Sequence, residues 1–211
     1  MAQMRIGIIG SGNIGGNLGI HLAGAGYEIL FSSRHPDELK ALAKEAGKNA
    51  TTGTIEEASA LGDVIVLSVP FWAVEEVAEK IGPQSGRMII ETVNPYPQRD
   101  GQMAQKVRDS SRAASEFVAD HFPEAHVIKA FNAIYFKNLR DQAFLEGQRR
   151  AIPYAGDHQP SLKKTEQLIT DIGFDPVYVG QLSESHIIDP EQALYTKDLT
   201  AQEMKAILDK Q

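Results

Sequence analysis

Short apolar runs alternate along this chain with longer segments in which apolar residues recur at helical spacing. The runs are rich in β-branched residues, which is typical of buried strands, whereas the longer segments are typical of amphipathic helices. Over the first two thirds of the chain the pattern predicts strands at residues 5–10, 27–32, 63–70, 87–95 and 126–132. It predicts helices at residues 13–26, 35–47, 71–82 and 115–121.

The last third of the chain continues the same alternation. A strand at 149–157, a helix at 160–172 and a strand at 174–180 form a further unit, and a short amphipathic helix covers 200–210. The polar residues 96–112 predict a mobile stretch. Strands that alternate with helices of this length are typical of βαβ units around a largely parallel sheet. The predicted fold class is therefore α/β, with a doubly wound sheet.

Composition removes several classes of protein. The net charge of -7 and the pI near 5.4 argue against a nucleic-acid partner, which would need a basic face. The absence of cysteine excludes disulfide scaffolds, thiolate nucleophiles and zinc–cysteine sites. The longest apolar stretch, residues 64–74, is about half of the ~20 residues that span a bilayer. We therefore expect no membrane partner and a cytoplasmic location.

A glycine-rich segment follows the first predicted strand and opens the first predicted helix. It fits the pattern G-x-G-x-x-G, in which Gly10 permits a tight turn and Gly12 lets a pyrophosphate approach the backbone. Gly15 lets the helix pack closely on the strand, and the helix N-terminus offers free N–H groups to phosphates. The whole segment is predicted to bind a dinucleotide through Gly10, Ser11, Gly12, Asn13, Ile14 and Gly15.

This motif suggests how the chain is divided. Residues 1–132 are predicted to form a Rossmann-type dinucleotide-binding domain, and residues 133–211 a small α/β extension on the same sheet. Only about 80 residues follow Asn132, too few for the large helical domain of hydroxyacid and imino-acid reductases. A single structural unit is expected.

The end of the second predicted strand indicates which dinucleotide binds. Sites that prefer NAD place an acidic residue there, but this chain has Ser32, Ser33, Arg34 and His35. Serine hydroxyls and a guanidinium suit the 2′-phosphate of NADP(H), and Arg34 could instead stack on the adenine. His35 is a further candidate contact. These four residues predict NADP(H) rather than NAD(H).

Two further strands end on a proline, at the edge of the sheet where ligands of such folds bind. "SVP" places Val69 and Pro70 there, and "VNP" places Asn94 there. Proline fixes the chain so that neighbouring carbonyl groups and the Asn94 amide can face a cofactor. Simple strand termination is the competing interpretation for all three residues.

The sequence contains few candidates for acid–base chemistry. No tyrosine precedes a lysine at the Tyr-x-x-x-Lys spacing of short-chain dehydrogenases, because Tyr135 with Lys137 and Tyr195 with Lys197 are too close. No histidine lies in a clear catalytic setting. Direct hydride transfer to a conjugated ring such as a flavin needs mainly positioning and exclusion of water. The sequence therefore favours that chemistry.

Several segments together resemble the coenzyme F420-dependent NADP oxidoreductase family. They are "IGIIGSGNIGGNLG", "FSSRHPDEL", "DVIVLSVP", "HVIKAFNAIYFKNL" and "DIGFDPVYVG", and the similarity extends to the reductase domain of STEAP metalloreductases, which has a comparable "KAFN" segment. The resemblance implies that NADP(H) binds with a flavin or deazaflavin, such as F420, as second ligand. It implies phosphates on Gly10–Gly15, the 2′-phosphate on Ser33 and Arg34, and nicotinamide near Ala130–Ile134.

Asn132 is the candidate for a catalytic role within this last segment. It stands where the F420-dependent enzymes carry a histidine near the deazaflavin, and its amide could bind the nicotinamide carboxamide or a flavin carbonyl. Capping the loop after the strand is the alternative role for Asn132.

Three functions remain open from the sequence. The leading one passes hydride from NADPH to a flavin-type acceptor. The others are reduction of a small carbonyl or imine, and a non-catalytic protein that senses NADP(H). A homodimer is expected by analogy only, since a sheet edge and the terminal helix need cover.

Overall fold

The computed structural model describes residues 4–210, so residues 1–3 and 211 at the ends of the two predicted units lie outside it. Within this part of the chain, eight strands form one sheet: Arg5–Ile9 (β1), Glu28–Ser32 (β2), Ala50–Gly53 (β3), Val64–Leu67 (β4), Met88–Glu91 (β5), His126–Ala130 (β6), Ala151–Gly156 (β7) and Asp175–Gly180 (β8). They lie in the order β3-β2-β1-β4-β5-β6-β7-β8.

Helices connect the strands on both faces of the sheet. The α-helices are Asn13–Gly24 (α1), Lys40–Ala46 (α2), Ile55–Leu61 (α3), Val74–Ile81 (α4), Pro97–Arg108 (α5), Ala114–Asp120 (α6), Phe136–Asp141 (α7), Gln159–Asp171 (α8) and Ala201–Leu208 (α9). Short 3₁₀ helices cover Pro36–Leu39, Phe71–Ala73 and Leu182–Ile188. No helix within residues 4–210 has both the length and the apolar surface that crossing a bilayer requires.

The order of the first six strands is the doubly wound arrangement of Rossmann folds. These six pair in parallel, β7 is antiparallel to β6, and β8 is parallel to β7. The predicted α/β class with a largely parallel sheet is confirmed, and the last strand–helix–strand unit extends the same sheet.

Elements that the sequence pattern missed lie in its most polar stretches. Residues 96–112 are not an irregular stretch, because they contain α5, which buries little apolar surface and is kinked at Gly101 with φ of +69°. Between the predicted helix at 35–47 and the strand at 63–70 lie β3 and α3. A capping box was the unused signal for α3, since Thr54 Oγ1 accepts from Glu57 N at 3.1 Å and Thr54 N donates to Glu57 Oε2 at 2.8 Å.

Alternate residues of the central strands enter separate cores on the two faces of the sheet. In β1, Ile6 and Ile8 join the cluster beneath α1, whereas Ile9 joins the one beneath α4. Because these parallel strands are packed on both faces, their carboxyl ends lie together at one edge of the sheet and are fixed in position. Ligands of such sheets bind at that edge.

Candidate active site

The turn between β1 and α1 depends on two glycines. Gly10 has φ of +92°, a conformation that other residues rarely adopt, and its N–H donates to the Ser32 carbonyl oxygen at 3.2 Å. A Cβ on Gly15 would lie 2.1 Å from the Gly10 carbonyl oxygen. Helix α1 can therefore approach the end of β1 only because position 15 has no side chain.

Gly12 is different, because a Cβ at this position would meet no protein atom within 4 Å. Its φ of -78° is open to any residue, so neither backbone nor packing within the protein requires glycine there. Gly12 is the N-cap of α1 and provides no side-chain cap for the first N–H groups of this 12-residue helix. The free space lies at the positive end of a helix dipole, where a phosphate fits.

Of the remaining residues of this turn, some bond to or pack against the protein and others are exposed. The Ser11 hydroxyl donates to the Ser32 carbonyl oxygen at 3.1 Å, which holds the turn against β2. Ile14 packs partly on the core and partly on the cleft beside it. Asn13 is exposed at the rim of that cleft. Gly12 and Asn13 are therefore the exposed surface of the turn.

At the end of β2, the predicted phosphate contacts separate into buried and exposed residues. Ser32 is fully buried and its hydroxyl donates to the Ile8 carbonyl oxygen at 2.8 Å, so the prediction that this hydroxyl faces a phosphate is corrected. Ser33 Oγ accepts from His35 N at 3.0 Å, which leaves its hydroxyl hydrogen for another acceptor. Arg34 and His35 are exposed.

Arg34 lies beside the single tryptophan of the chain. Its guanidinium carbon is 5.9 Å from the centroid of the Trp72 ring, and Trp72 is 42% exposed at the start of the segment after β4. No carboxylate within residues 4–210 forms a salt bridge with Arg34. Arg34 at the end of β2 and Trp72 after β4 thus form an exposed cationic and aromatic surface.

A cleft of about 420 Å³ runs from Gly12 along the carboxyl ends of β4, β5 and β6. Val69 and Pro70 line it and are half-buried, and Ser68 beside them accepts a hydrogen bond from Thr92 Oγ1 at 3.0 Å. Volumes of this size are typical of small-molecule sites. The structure thus brings the glycine turn and the two proline-terminated strands to one cavity.

Asn94 and Asn132 bind each other across this cleft. Asn94 Nδ2 donates to the Asn132 carbonyl oxygen at 2.9 Å, and Asn132 Nδ2 donates to Asn94 Oδ1 at 3.0 Å and to the Ile188 carbonyl oxygen at 2.6 Å. Asn132 is 3% exposed, and its Oδ1 has no hydrogen-bond partner in the part of the chain that the structure describes. A buried carbonyl-type oxygen without a donor is costly unless a ligand supplies one.

The backbone before Asn132 is unusual. Phe131 has φ of +62°, which is uncommon for an aromatic residue and is often found at functional sites. Ala130, predicted as a cofactor contact, is fully buried in the core and its side chain does not line the cleft. Ile134 takes that place instead.

Three cleft residues that the sequence pattern missed are Tyr96, Arg99 and Tyr195. The two tyrosine hydroxyls share a hydrogen bond, and Asn94 Nδ2 lies 3.5 Å from Tyr195 Oη. Burial raises the pKa of Tyr195, and the bond to Tyr96 raises it further, so the phenol stays neutral. The only signal for Tyr96 was its position just after "VNP". Tyr195 lies in a connecting segment without a local motif.

A charged network lies beside the cleft, in which Lys129 on β6 and Glu91 on β5 are fully buried and Asp189 is partly exposed. Lys129 Nζ donates to Glu91 Oε1 at 3.1 Å, lies 3.1 Å from Asp189 Oδ1, and donates to the Val93 carbonyl oxygen at 3.2 Å. The Ser115 hydroxyl donates to Glu91 as well. Burial lowers the pKa of Lys129, but the two carboxylates outweigh it and raise that pKa overall. The ammonium is therefore charged and ties three segments together.

Comparison with known proteins agrees with this geometry. Residues 5–95 match the family model described as "NADP oxidoreductase coenzyme F420-dependent". The metalloreductase STEAP3 of Rattus norvegicus is 25% identical over 186 residues, which is 88% of this chain and 36% of STEAP3. STEAP2 of Mus musculus is 23% identical over 193 residues, 89% of this chain and 35% of that protein. The chain thus spans about a third of the length of these relatives.

Solved structures share the whole architecture. The hypothetical protein SMa0349 from Sinorhizobium meliloti has a TM-score of 0.82 at 25% identity, over 94% of this chain and 96% of that one. A proposed F420-dependent NADP reductase from Arthrobacter sp. FB24 has a TM-score of 0.75 at 18% identity, over 87% of both chains, and shows the shared fold. The resemblance predicted from the sequence is confirmed, because residues 5–95 match the model of the coenzyme F420-dependent NADP oxidoreductase family.

Proposed function

We propose that this protein binds NADP(H) along the carboxyl edge of the sheet and transfers hydride between it and a flavin-type or deazaflavin acceptor. The space above Gly12 receives the pyrophosphate at the N-terminus of α1. Arg34 and Ser33 take the 2′-phosphate, and the adenine lies by Trp72. The nicotinamide reaches the cleft beside Asn94 and Asn132.

Two features of the chain fit this cofactor. The space that a Cβ at position 12 would occupy is empty, and no protein atom lies within 4 Å of it. Asn132 Oδ1 is a buried acceptor without a donor, and a carboxamide N–H₂ group is a donor of the right kind. The open Gly12 position carries the proposal, since packing and backbone conformation give no other reason for glycine there.

Bound NADPH would supply the hydride, and bound NADP⁺ would accept it in the reverse direction. The protein's own contribution is to position the two rings and to limit access of water. Hydrogen bonds between Asn94, Asn132 and the Ile188 carbonyl fix the orientation of both amides before any ligand enters. The names of the family and of the Arthrobacter protein both mention F420, which supports a deazaflavin as acceptor.

Reduction of a small imine or carbonyl is the second candidate. An imine reductase from Pseudomonas sp. shares the fold with a TM-score of 0.60 at 17% identity, but this chain covers only 62% of that protein. The observation that favours this candidate is the pair of hydrogen-bonded tyrosine hydroxyls in the cleft, because carbonyl and imine reduction needs a proton donor.

The first experiment measures cofactor binding through Trp72. This residue is the only tryptophan and lies next to Arg34, so NADPH bound as proposed should quench its emission and accept its excitation energy. We expect saturable quenching with NADPH and weaker binding of NADH. If neither NADPH nor NADP⁺ binds, by fluorescence and by calorimetry, the proposed function is wrong.

The second experiment identifies the acceptor. NADPH oxidation is followed with coenzyme F420, FMN and riboflavin, and in parallel with a panel of small ketones and cyclic imines. Turnover with F420 or a flavin supports the leading function, whereas turnover with imines alone supports the second candidate. Tight NADPH binding without turnover on any of these compounds would favour a sensor of NADP(H).

A further inference from the structure

One wall of the cleft is a cluster of hydrogen-bond donors that the proposed function has not yet used. Tyr96 and Arg99 lie at the start of α5, and Tyr195 lies in the segment before α9. The two phenols share a hydrogen bond. Tyr195 is held in place because Leu194 is fully buried and Thr196 N donates to the Ala133 carbonyl oxygen at 2.9 Å. Segments far apart in the chain thus converge on one wall.

The two phenol hydroxyls have one hydrogen more than their protein neighbours can accept. Each hydroxyl carries one hydrogen, and the bond between Tyr96 and Tyr195 uses only one of the two. The remaining protein contact is Asn94 Nδ2, which is itself a donor to Tyr195 Oη at 3.5 Å. One hydroxyl hydrogen therefore has no acceptor among residues 4–210, and it lies at the wall of the cleft.

Arg99 adds a cation whose orientation is fixed. Its Nε donates to Asp100 Oδ1 at 2.9 Å, and its Nη2 donates to Asp100 Oδ2 and to the Asn94 carbonyl oxygen, each at 2.8 Å. The Asp100 side chain is fully buried, and the guanidinium lies 5.0 Å from the centroid of the Tyr96 ring. The two N–H groups of Nη1 have no partner within the described chain. They are available to a ligand in the cleft.

We propose that Tyr96, Tyr195 and Arg99 form the site that binds an oxygen of the acceptor on which negative charge develops during reduction. This inference rests on the proposed function and names the class of acceptor. It is a conjugated ring whose imide or carbonyl oxygen is linked through double bonds to the atom that receives hydride, as in flavins and deazaflavins.

The electron count fits this role. The C–H bond of the dihydropyridine breaks with its electron pair, a new bond to the acceptor atom forms, and a π electron pair of the acceptor moves to the conjugated oxygen. Donors aimed at the place where charge develops stabilise that oxygen more in the product than in the starting acceptor. The proton that later neutralises the oxygen comes from water at the open mouth of the cleft. A simple imine has no such oxygen, so it would use the tyrosine hydroxyls as proton donors and would gain nothing from stabilisation of a negative oxygen.

The test compares oxidised and reduced acceptors in the absence of cofactor. FMN and coenzyme F420, each oxidised or chemically reduced under anaerobic conditions, are titrated against the parent protein and against Tyr195→Phe, Tyr96→Phe and Arg99→Gln. Tyr178→Phe and Arg149→Gln are matched controls, because Tyr178 is exposed on β8 and Arg149 lies against Phe144, with neither lining the cleft. NADPH binding is measured for each variant through Trp72.

The parent protein should bind the reduced, anionic ring of at least one probe more tightly than its oxidised form. Loss of a hydrogen bond to a charged group costs about 10-fold or more in affinity, so Arg99→Gln and Tyr195→Phe should each reduce this preference by about 10-fold. The affinity for NADPH should change by less than about 2-fold, as in the controls. The preference should also fade as pH falls and the reduced ring is protonated, which a purely structural role of the cluster would not produce.

The outcomes separate this inference from the proposed function. If NADPH binds but the parent shows no preference for the reduced rings, or if the cluster variants behave like the controls, the inference is overturned and the cofactor assignment stands. If the preference is present and depends on the cluster while NADPH fails to bind, the acceptor site stands and the proposed function is wrong.

Discussion

The two halves of the cleft are built in opposite ways. The half proposed for the nucleotide is local, since β1 and α1 supply the glycine turn and the helix N-terminus, and Arg34 follows β2 in the same continuous stretch of chain. The half proposed for the acceptor is assembled from distant segments, with Asn94 and Tyr96 after β5, Asn132 after β6 and Tyr195 near the C-terminus. In the first half the pyrophosphate is proposed to bind backbone N–H groups, whereas the second half presents mainly side chains.

This difference determines how readily each half can change its ligand through substitution of residues. A phosphate bound by N–H groups of a helix needs little more than glycine at the right positions, which local sequence encodes. An acceptor bound by side chains depends on which residues each segment carries. Proteins that share the first half can therefore differ in their acceptors, because the second half changes residue by residue.

The largest effect is expected in the network beneath the acceptor half. Lys129→Met leaves Glu91 buried without its cation, which should lower the free energy of unfolding by about 3–5 kcal/mol. Urea unfolding measures this loss, with Lys44→Met on the exposed face of α2 as the control. Adding Glu91→Gln to Lys129→Met should recover part of the loss, because the stranded charge is removed. A loss below about 1 kcal/mol for Lys129→Met would show that the network does not hold this half together.

The next effect separates two glycines of the nucleotide half. Gly12→Asn should not lower the midpoint of thermal unfolding, because asparagine is a good N-cap residue, but it should weaken NADPH by about 100-fold, since its side chain enters the space proposed for the pyrophosphate. Gly15→Ala should instead lower stability by about 1–3 kcal/mol, because its Cβ meets the Gly10 carbonyl oxygen. Thermal unfolding and calorimetry on both variants give the comparison. Equal losses of stability would mean that Gly12 has a structural role.

The same contrast governs what the sequence could predict. The position of Gly10–Gly15 after a strand and before a helix is enough to predict the turn, because β1, α1 and β2 follow one another directly in the chain. Ser32 was assigned wrongly, because the pattern does not show which of two adjacent serines faces the groove and which donates to Ile8. Tyr195 could not be found at all, because its place depends on how the last segment folds back against Ala133.

A selective loss is expected for Arg34. Arg34→Ala removes the cation proposed for the 2′-phosphate, so NADPH should bind about 10-fold more weakly while NADH changes little. Quenching of Trp72 by each nucleotide measures both affinities. A change of the same size for both would show that Arg34 acts on the adenine and not on the phosphate, and it would weaken the assignment to NADP(H).

The smallest effect concerns the opposite edge of the sheet, where His126 and His158 stack with ring centroids 3.5 Å apart. Arg5, Arg87 and Lys164 line the same groove, and the carboxylate of Asp63 is paired with Arg5. A protonated histidine in this groove therefore has mainly positive neighbours. Burial lowers the pKa of His126 below 6.5, and His158 lowers it further. The unfolded chain therefore binds the proton more readily than the folded one.

Stability should accordingly be unaffected above pH 6.5 and should fall as the pH decreases from there through the lower pKa of folded His126. The loss should stay below about 1 kcal/mol, because the groove is open to solvent. His158→Asn should flatten this decline in urea unfolding between pH 7 and pH 5, while NADPH affinity at pH 7 stays unchanged. If His158→Asn altered NADPH affinity, the two edges of the sheet would be coupled, and the binding edge would not be independent of the opposite one.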